Sequence, residues 1–349
     1  MPTMDIFNAD PFSAFELTSA IEKIPHKPQL LGSLNLFTPR PVRTETVAIE
    51  EREGTLALIQ TSQRGAALDE RAGEKRKIRD FRTVRIAKGD TILASEIQNI
   101  RAFGRESELM QVMDEVMRRL AGPAGLISEV EMTWENMRLG AVQGIVTDAD
   151  GSTIVDWYSA MDVSQAAEID FDLDNSSPAT GALLTKCDQV VTQMRRAAKG
   201  AWTAGTRCVA LCGTSFWRDL IAHTEVQKLR ELQTLYGDQT GLAALLGVSA
   251  NGLLEYGGIT FMRYWGTDDD STVAIGVDKA KFFPINAPGA FEAAYSPLES
   301  MGFVNTPGVP LYSMIVRDLQ RDMWVRPEVY SYPLFICTRP AMLQRAKRT

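Results

Sequence analysis

An α+β fold is predicted by three features of the 349-residue sequence. Apolar residues recur at spacings of three and four over residues 106–142, and a second amphipathic helix is predicted over about 179–201. Short apolar runs closed by Gly, Pro or Asp recur at 44–63, 145–173, 207–211, 257–277 and 323–338 and read as strands. No internal repeat or low-complexity tract is present, and the length allows roughly two domains with real cores.

The elements follow in order. Residues 1–50 scatter Phe12, Phe15, Leu17 and Ile21 ahead of Pro25, Pro28, Pro39 and Pro41, so no long helix forms. Such a segment cannot bury its own apolar residues and is expected to lie along another surface. Residues 44–63 read as strands, with good β-propensity at Thr55–Gln60. Residues 64–88 hold nine cations (Arg64, Arg71, Lys75, Arg76, Lys77, Arg79, Arg82, Arg85, Lys88) against four carboxylates, a local excess of five on a remainder of −12. Phe81, Val84 and Ile86 mark a returning strand, so this stretch is predicted to be a long two-stranded arm with a basic tip. Isolated hairpins are marginal in water, so the functional reading is a reach onto a neighbouring subunit. The bland reading is a solvated charge run.

In the helical block, Leu109, Met113, Val116 and Leu120 form one stripe, Gly122-Pro123-Ala124-Gly125 interrupts it, and Ile127, Val130, Trp134, Met137 and Ala141 continue it. Met and Trp at this spacing are packing residues. Asp150-Gly151 reads as a hairpin turn. Ile169, Phe171 and Leu173 alternate with Asp170, Asp172 and Asp174 as a half-buried strand with an acidic face. From Arg207 short strands and helices alternate: Cys208–Leu211, Phe216–Ala222, Val226–Tyr236, Gly257–Met262 and Val273–Val277. Residues 284–310, with five prolines, read as loop-rich, and Met323–Thr338 as closing strands.

Composition excludes several functions. A net charge of −7 argues against sequence-independent duplex binding as the main task. No apolar run approaches the roughly 18 residues a bilayer requires, and Met1–Pro11 lacks a signal-peptide layout, so neither membrane insertion nor secretion is expected. Cys187, Cys208, Cys212 and Cys337 have no CxxC spacing and read as buried thiols; His26 and His223 are the only histidines and read as structural. The Asp170 run has Asn175 and Gly181 where a calcium loop needs Gly and Glu, and a loop placing Gly151 sixth would put Trp157 where the Glu belongs. There is no dinucleotide fingerprint or P-loop, and Gly213-Thr214-Ser215 lacks the second glycine of a nucleophile elbow. No catalytic residue, metal or cofactor is expected.

An ordered series of segments resembles phage major capsid protein E, the lambda-like major head protein family with the Hong Kong 97 phage-type capsid fold. Thr61-Ser62-Gln63-Arg64-Gly65-Ala66 enters the basic arm and Phe81-Arg82-Thr83-Val84-Arg85-Ile86 leaves it. Ser95–Gly104 precedes the long helix, and Thr133-Trp134-Glu135 with Arg138–Gly144 matches its end. Asp150-Gly151, Ile169-Asp170-Phe171, Leu220–His223, Tyr256–Ile259, Asn305–Pro310, Pro333-Leu334 and Arg339-Pro340 follow in family order.

The resemblance implies an α+β fold with an N-terminal arm (1–53), an extended loop (54–90), a peripheral domain with a long spine helix (91–205), an axial domain (206–318) and a return to the peripheral domain (319–349). It implies a major capsid protein of a tailed bacteriophage, forming hexamers and pentamers of an icosahedral shell around double-stranded DNA without sequence-specific contact. Arg64, Arg71, Lys75, Arg76, Lys77, Arg79, Arg82 and Arg85 would make inter-subunit contacts, and Ile127, Val130, Trp134 and Met137 would pack the spine. The expected partners are further copies, a portal, a decoration protein and a separate scaffolding protein, since the sequence begins almost at the arm. The virion, assembled in the host cytoplasm, is the implied location. The Gly122–Gly125 break leaves two arrangements open, one long broken spine or two stacked helices. Three other readings compete: a cellular nanocompartment shell of the encapsulin type, a soluble enzyme with a site within 206–318, and nucleic-acid binding by 64–88. The last is weakened by the lack of aromatics other than Phe81 among those cations.

Overall fold

The computed structural model of the chain describes residues 30–53, 75–99, 108–122, 125–236, 248–249, 252–267, 273–321 and 323–349. The expected strand at Thr55–Gln60, the cations Arg64 and Arg71, and His26 lie outside them. Described elements run α1 (Leu30–Ser33), β1 (Thr38–Pro41), β2 (Thr46–Glu53), β3 (Lys75–Arg82), β4 (Ile86–Gly89), β5 (Ile92–Leu93), α2 (Ala94–Asn99), α3 (Glu108–Ala121) and α4 (Leu126–Gln143). Then come β6 (Ile145–Thr147), β7 (Thr153–Asp156), α5 (Trp157–Ala160), β8 (Ile169–Asp170), α6 (Ala182–Ala197), β9 (Arg207–Cys212), α7 (Thr214–Ala222) and α8 (Thr224–Tyr236). The rest is β10 (Val248–Ser249), β11 (Leu253–Tyr256), β12 (Ile259–Arg263), β13 (Lys279–Ile285), β14 (Phe291–Tyr295), β15 (Tyr312–Arg317), β16 (Trp324–Ser331), β17 (Pro333–Cys337) and β18 (Gln344–Lys347).

A seven-stranded mixed sheet runs in the order β10-β11-β12-β9-β13-β18-β8, and its central strands carry apolar residues on both faces. Strand alternation divides its residues between two cores. Cys208, Ala210, Cys212, Ala280 and Phe282 meet α6, α7 and the 169–173 segment through Leu183, Val190, Met194, Phe216 and Phe171. Val209, Leu211 and Phe283 point the other way, into the core that holds α4. β8, α6 and β18 thus join the 207–285 strands from elsewhere in the chain. A three-stranded sheet, β1-β14-β17, and a four-stranded arrangement of β15-β16-β4 with β5 on β16 complete the second layer.

The spine is two helices. Gly125 N–H donates to the Gly122 carbonyl at 2.8 Å, and a Cβ at Gly125 would stand 2.8 Å from the Leu120 carbonyl oxygen, so only glycine passes this corner. α4 buries Ile127, Val130, Trp134 and Met137, and Trp134 Nε1 donates to Ser331 Oγ at 3.2 Å, fastening the helix to β16. It stops at Gly144 (φ +86°), where a Cβ would strike the Tyr158 ring at 2.3 Å. The β6–β7 hairpin turns at Asp150-Gly151 as expected.

Three expectations are corrected. Val273–Val277 is not a strand; the strand begins at Lys279. Residues 284–310 are less irregular than their prolines suggest, since Pro284 lies inside β13 opposite Cys208 and Phe291–Tyr295 is a strand. β18 pairs with β13 only at 279–282, so beyond Phe282 that side is unpaired and a residue without an N–H is tolerated. The 169–173 strand is only two residues long: Asp172 turns at φ +52°, yet Ile169, Phe171 and Leu173 all stay buried. All four cysteines are buried and unpaired, and burial pushes the Cys187 and Cys337 thiols up to about 12. His223 is buried at the end of α7.

Phe282 is fully buried and touches the rings of Phe171 and Phe261. Phe282→Ala is expected to lower stability by about 3–5 kcal/mol, read by denaturant unfolding of the unassembled subunit.

Candidate assembly interface

β2 and β3 form an antiparallel ribbon whose register runs from Thr46↔Arg82 to Glu53↔Lys75. The register sets an acidic limb beside the basic one: Glu51 faces Lys77, a pair that favours cross-strand attraction, while Arg52 and Glu53 occupy the positions opposite Arg76 and Lys75. Among the described residues of the ribbon, apolar anchoring is at the root. Val47 is buried, Ile49 and Phe81 pack against the spine core, and the Phe81 ring lies 5.1 Å from that of Trp157. Further out Ile78 is 67 % exposed.

A charged clamp holds the root. Asp162, at φ +52° just after α5, accepts from Lys77 Nζ and, at 2.9 Å, from Arg79 Nη2. Arg79 Nη1 also donates to Glu51 Oε2 at 2.5 Å. Lys77 is the main reason the Asp162 carboxyl is held below its ordinary range, with Arg79 adding to it; Glu51 correspondingly raises Arg79. Arg76 stands 3.7 Å from Glu50. Below the clamp Thr83 Oγ1 donates to Ser296 Oγ at 2.9 Å, and Ser296 Oγ to the Thr44 carbonyl at 2.8 Å. Arg85 pairs with Glu299 at 3.4 Å and lies over the Tyr330 ring. Lys88, 2.6 Å from Glu129, ties the returning strand to α4.

The spine carries its own ties. Arg119 reaches Asp90 at 3.2 Å and Glu96, joining α3 to the 90–96 connection. Hydrogen bonds from Arg118, and then Arg119, hold the Glu115 carboxyl down to about 2. Glu135 accepts from Leu31 N–H at 2.9 Å and so anchors α1 on α4; burial raises its pKa.

The structure places the expected arm residues as follows. Arg76, Lys77, Arg79 and Arg85 engage carboxylates of their own chain, and Arg82 is exposed at the root. Lys75 occupies the register position opposite Glu53, with its side chain outside the described ones. Ile127, Val130, Trp134 and Met137 share one buried face. Asp162 and Glu135 were not among the expected residues. No spacing marks either one, although the glutamates at 45, 50, 51 and 53 were legible as an acidic partner limb. Among the described residues no group of three His, Cys, Asp or Glu could hold a metal ion.

A mixed sheet, a spine of two successive helices and a two-stranded ribbon are the parts of a subunit of the Hong Kong 97 phage-type capsid fold. The structure is similar to the capsid of cyanophage P-SCSP1u, with a TM-score of 0.50 and 11 % identity over 90 % of this chain and 86 % of that one. In sequence it is similar to the major capsid protein of Salmonella phage Felix O1 (isolate Felix O1-VT1), 26 % identical over 95 % of each chain. It is also 24 % identical to the major capsid protein of Pseudomonas phage KPP10, over 86 % of this chain and 87 % of that protein. The chain belongs to the phage major capsid protein E family, whose profile matches residues 13–348. Its role is that of a tailed-phage major capsid protein, a structural component of the virion shell.

The depressed Asp162 pKa fixes the sign of the clamp's pH dependence. Its contribution is present above the ordinary value of 3.8 and is lost only as pH falls through the lower folded value. Hydrogen exchange of residues 75–82 in the unassembled subunit is expected to be pH-insensitive, after correction for intrinsic rates, down to about pH 4. Asp162→Asn should speed that exchange at neutral pH, and added salt should narrow the difference.

Proposed function

We propose that the chain assembles into hexamers and pentamers of an icosahedral shell around double-stranded DNA, with the ribbon arm reaching over a neighbouring copy. The supporting observation is the clamp at Asp162, which fixes the direction of the described part of the ribbon where it leaves its apolar root. Residues 1–53 serve as the N-terminal arm and 54–90 as the extended loop. Residues 91–205 and 319–349 supply the peripheral domain and 206–318 the axial domain, with β8, α6 and β18 lending strands and a helix to the axial sheet.

Arg64, Arg71, Lys75, Arg76, Lys77, Arg79, Arg82 and Arg85 make the arm's contacts, those near the root by way of the clamp. Assembly is the chain's whole activity, without catalysis. It proceeds in the host cytoplasm with a separate scaffolding protein and a portal, and a decoration protein binds outside. A subunit with net charge −7 leaves the enclosed DNA mobile.

Electron microscopy of the purified protein is expected to show rings, tubes or closed shells; a strictly monomeric protein at every concentration would sink the proposal. Reversing charge at Lys75, Arg76 and Lys77 together should abolish those assemblies and leave DNA affinity unchanged. A parallel fall in DNA binding would return the arm to the nucleic-acid reading.

A further inference from the structure

The β13–β18 register sets like charges against each other: Lys279 faces Lys347 and Lys281 faces Arg345. Alternation puts all four on the sheet face that Phe283 shares, opposite the buried Ala280, Phe282 and Ala346. Directly opposed like charges destabilise a sheet, so the arrangement calls for compensation. Two of the four have it: Lys279 pairs with Glu168 at 2.6 Å and Lys347 with Asp170 at 3.1 Å. Arg345 spends Nε on the Ala166 carbonyl at 2.8 Å. Among the described residues no carboxylate lies within ion-pairing distance of Lys281 or Arg345, although both are half-buried. Burial pushes the Lys281 ammonium below its ordinary range, and Arg345 adds repulsion that Glu168 offsets only in part. Partly desolvated charges in proteins are normally paired.

We propose that Lys281 and Arg345 form an inter-subunit seat for a side-chain carboxylate of a second copy of this chain. The inference rests on the shell reading, which supplies neighbouring copies at high local concentration. Charge layout selects the occupant. Glu168, just before β8, and Asp170, on β8 beside β18, are taken up by Lys279 and Lys347, so the surplus is two positive charges at one place, which suits one side-chain carboxylate better than a row of duplex phosphates. A single carboxylate fits between Lys281 and Arg345 and can take two donors from the guanidinium and one from the ammonium. The subunit is net acidic, so carboxylates are the commoner charge on any copy that approaches.

The test is Lys281→Met, which keeps the aliphatic stem and removes the charge. Two quantities are measured on purified protein free of scaffold and nucleic acid: the thermal midpoint of the dilute, unassembled subunit, and the concentration at which light scattering reports shells. The midpoint is expected to hold or rise, because an uncompensated charge has gone, while the assembly threshold rises roughly tenfold or more. Arg345→Gln should raise the threshold in the same direction. An unchanged threshold overturns the proposal. A lowered midpoint overturns it too, since the carboxylate then belongs to the same chain. Loss of DNA binding with unaltered assembly identifies a phosphate site instead and also overturns it. If the unsubstituted protein itself never assembles, the shell reading fails first, and the two failures are told apart.

Discussion

A two-stranded ribbon in water has no face it can bury by itself, and the arm's dependence on the body it leaves shapes everything around its root. Val47, Ile49 and Phe81 pack on the spine core, so among the described pairs hydrophobic anchoring is confined to the first few. From there outward direction is held by charge, through Asp162 and the pairing of an acidic limb with a basic one. Exposed ion pairs contribute little to folding, but several converging on one carboxylate can set an angle. Their exposure also makes that angle answer to salt, whereas the packing beneath it does not.

The body supplies the stiffness such an arm requires. β9 and β13 alternate apolar side chains between two cores and couple them at the van der Waals level. α4 lies on one side and α6 with α7 on the other. Because Trp134 bonds to Ser331 and Lys88 to Glu129, β4, which leaves the arm, and its partner β16 are tied to the same helix.

How much of this was legible depends on the range of the interaction. The stripe Ile127, Val130, Trp134, Met137 and the turn at Asp150-Gly151 are local patterns, and both can be read without a fold. Gly122–Gly125 announces a break, but whether a helix resumes in line depends on the close approach of Gly125 to the Leu120 carbonyl, which sequence does not display. Pro284 misleads because its tolerance rests on β18 stopping at Phe282, a pairing with a segment sixty residues away in the chain. Asp162 is silent for the same reason: it is one aspartate among many until α5 carries it under β3. Counting only 64–88 exaggerates the arm's charge, because the glutamates that neutralise it lie before the tip, and residues 44–88 together carry +2.

That revised count changes what net charge says about assembly. With the limbs paired, the arm is nearly neutral along its stem and leaves a −9 remainder, so the subunit cannot be described as a cationic arm seeking any acidic surface. Specific association then depends on charges that their own chain leaves unmatched, since a paired charge must first be separated before it can bind elsewhere. Lys77 and Arg79 are committed to Asp162, Arg76 to Glu50 and Arg85 to Glu299. Lys281 and Arg345 are not so committed, and they sit on the rigid sheet. The arm's charges are spent on its own chain and aim the ribbon, whereas the sheet carries two cations that no described carboxylate pairs, and it is there that the proposed contact with a neighbour falls.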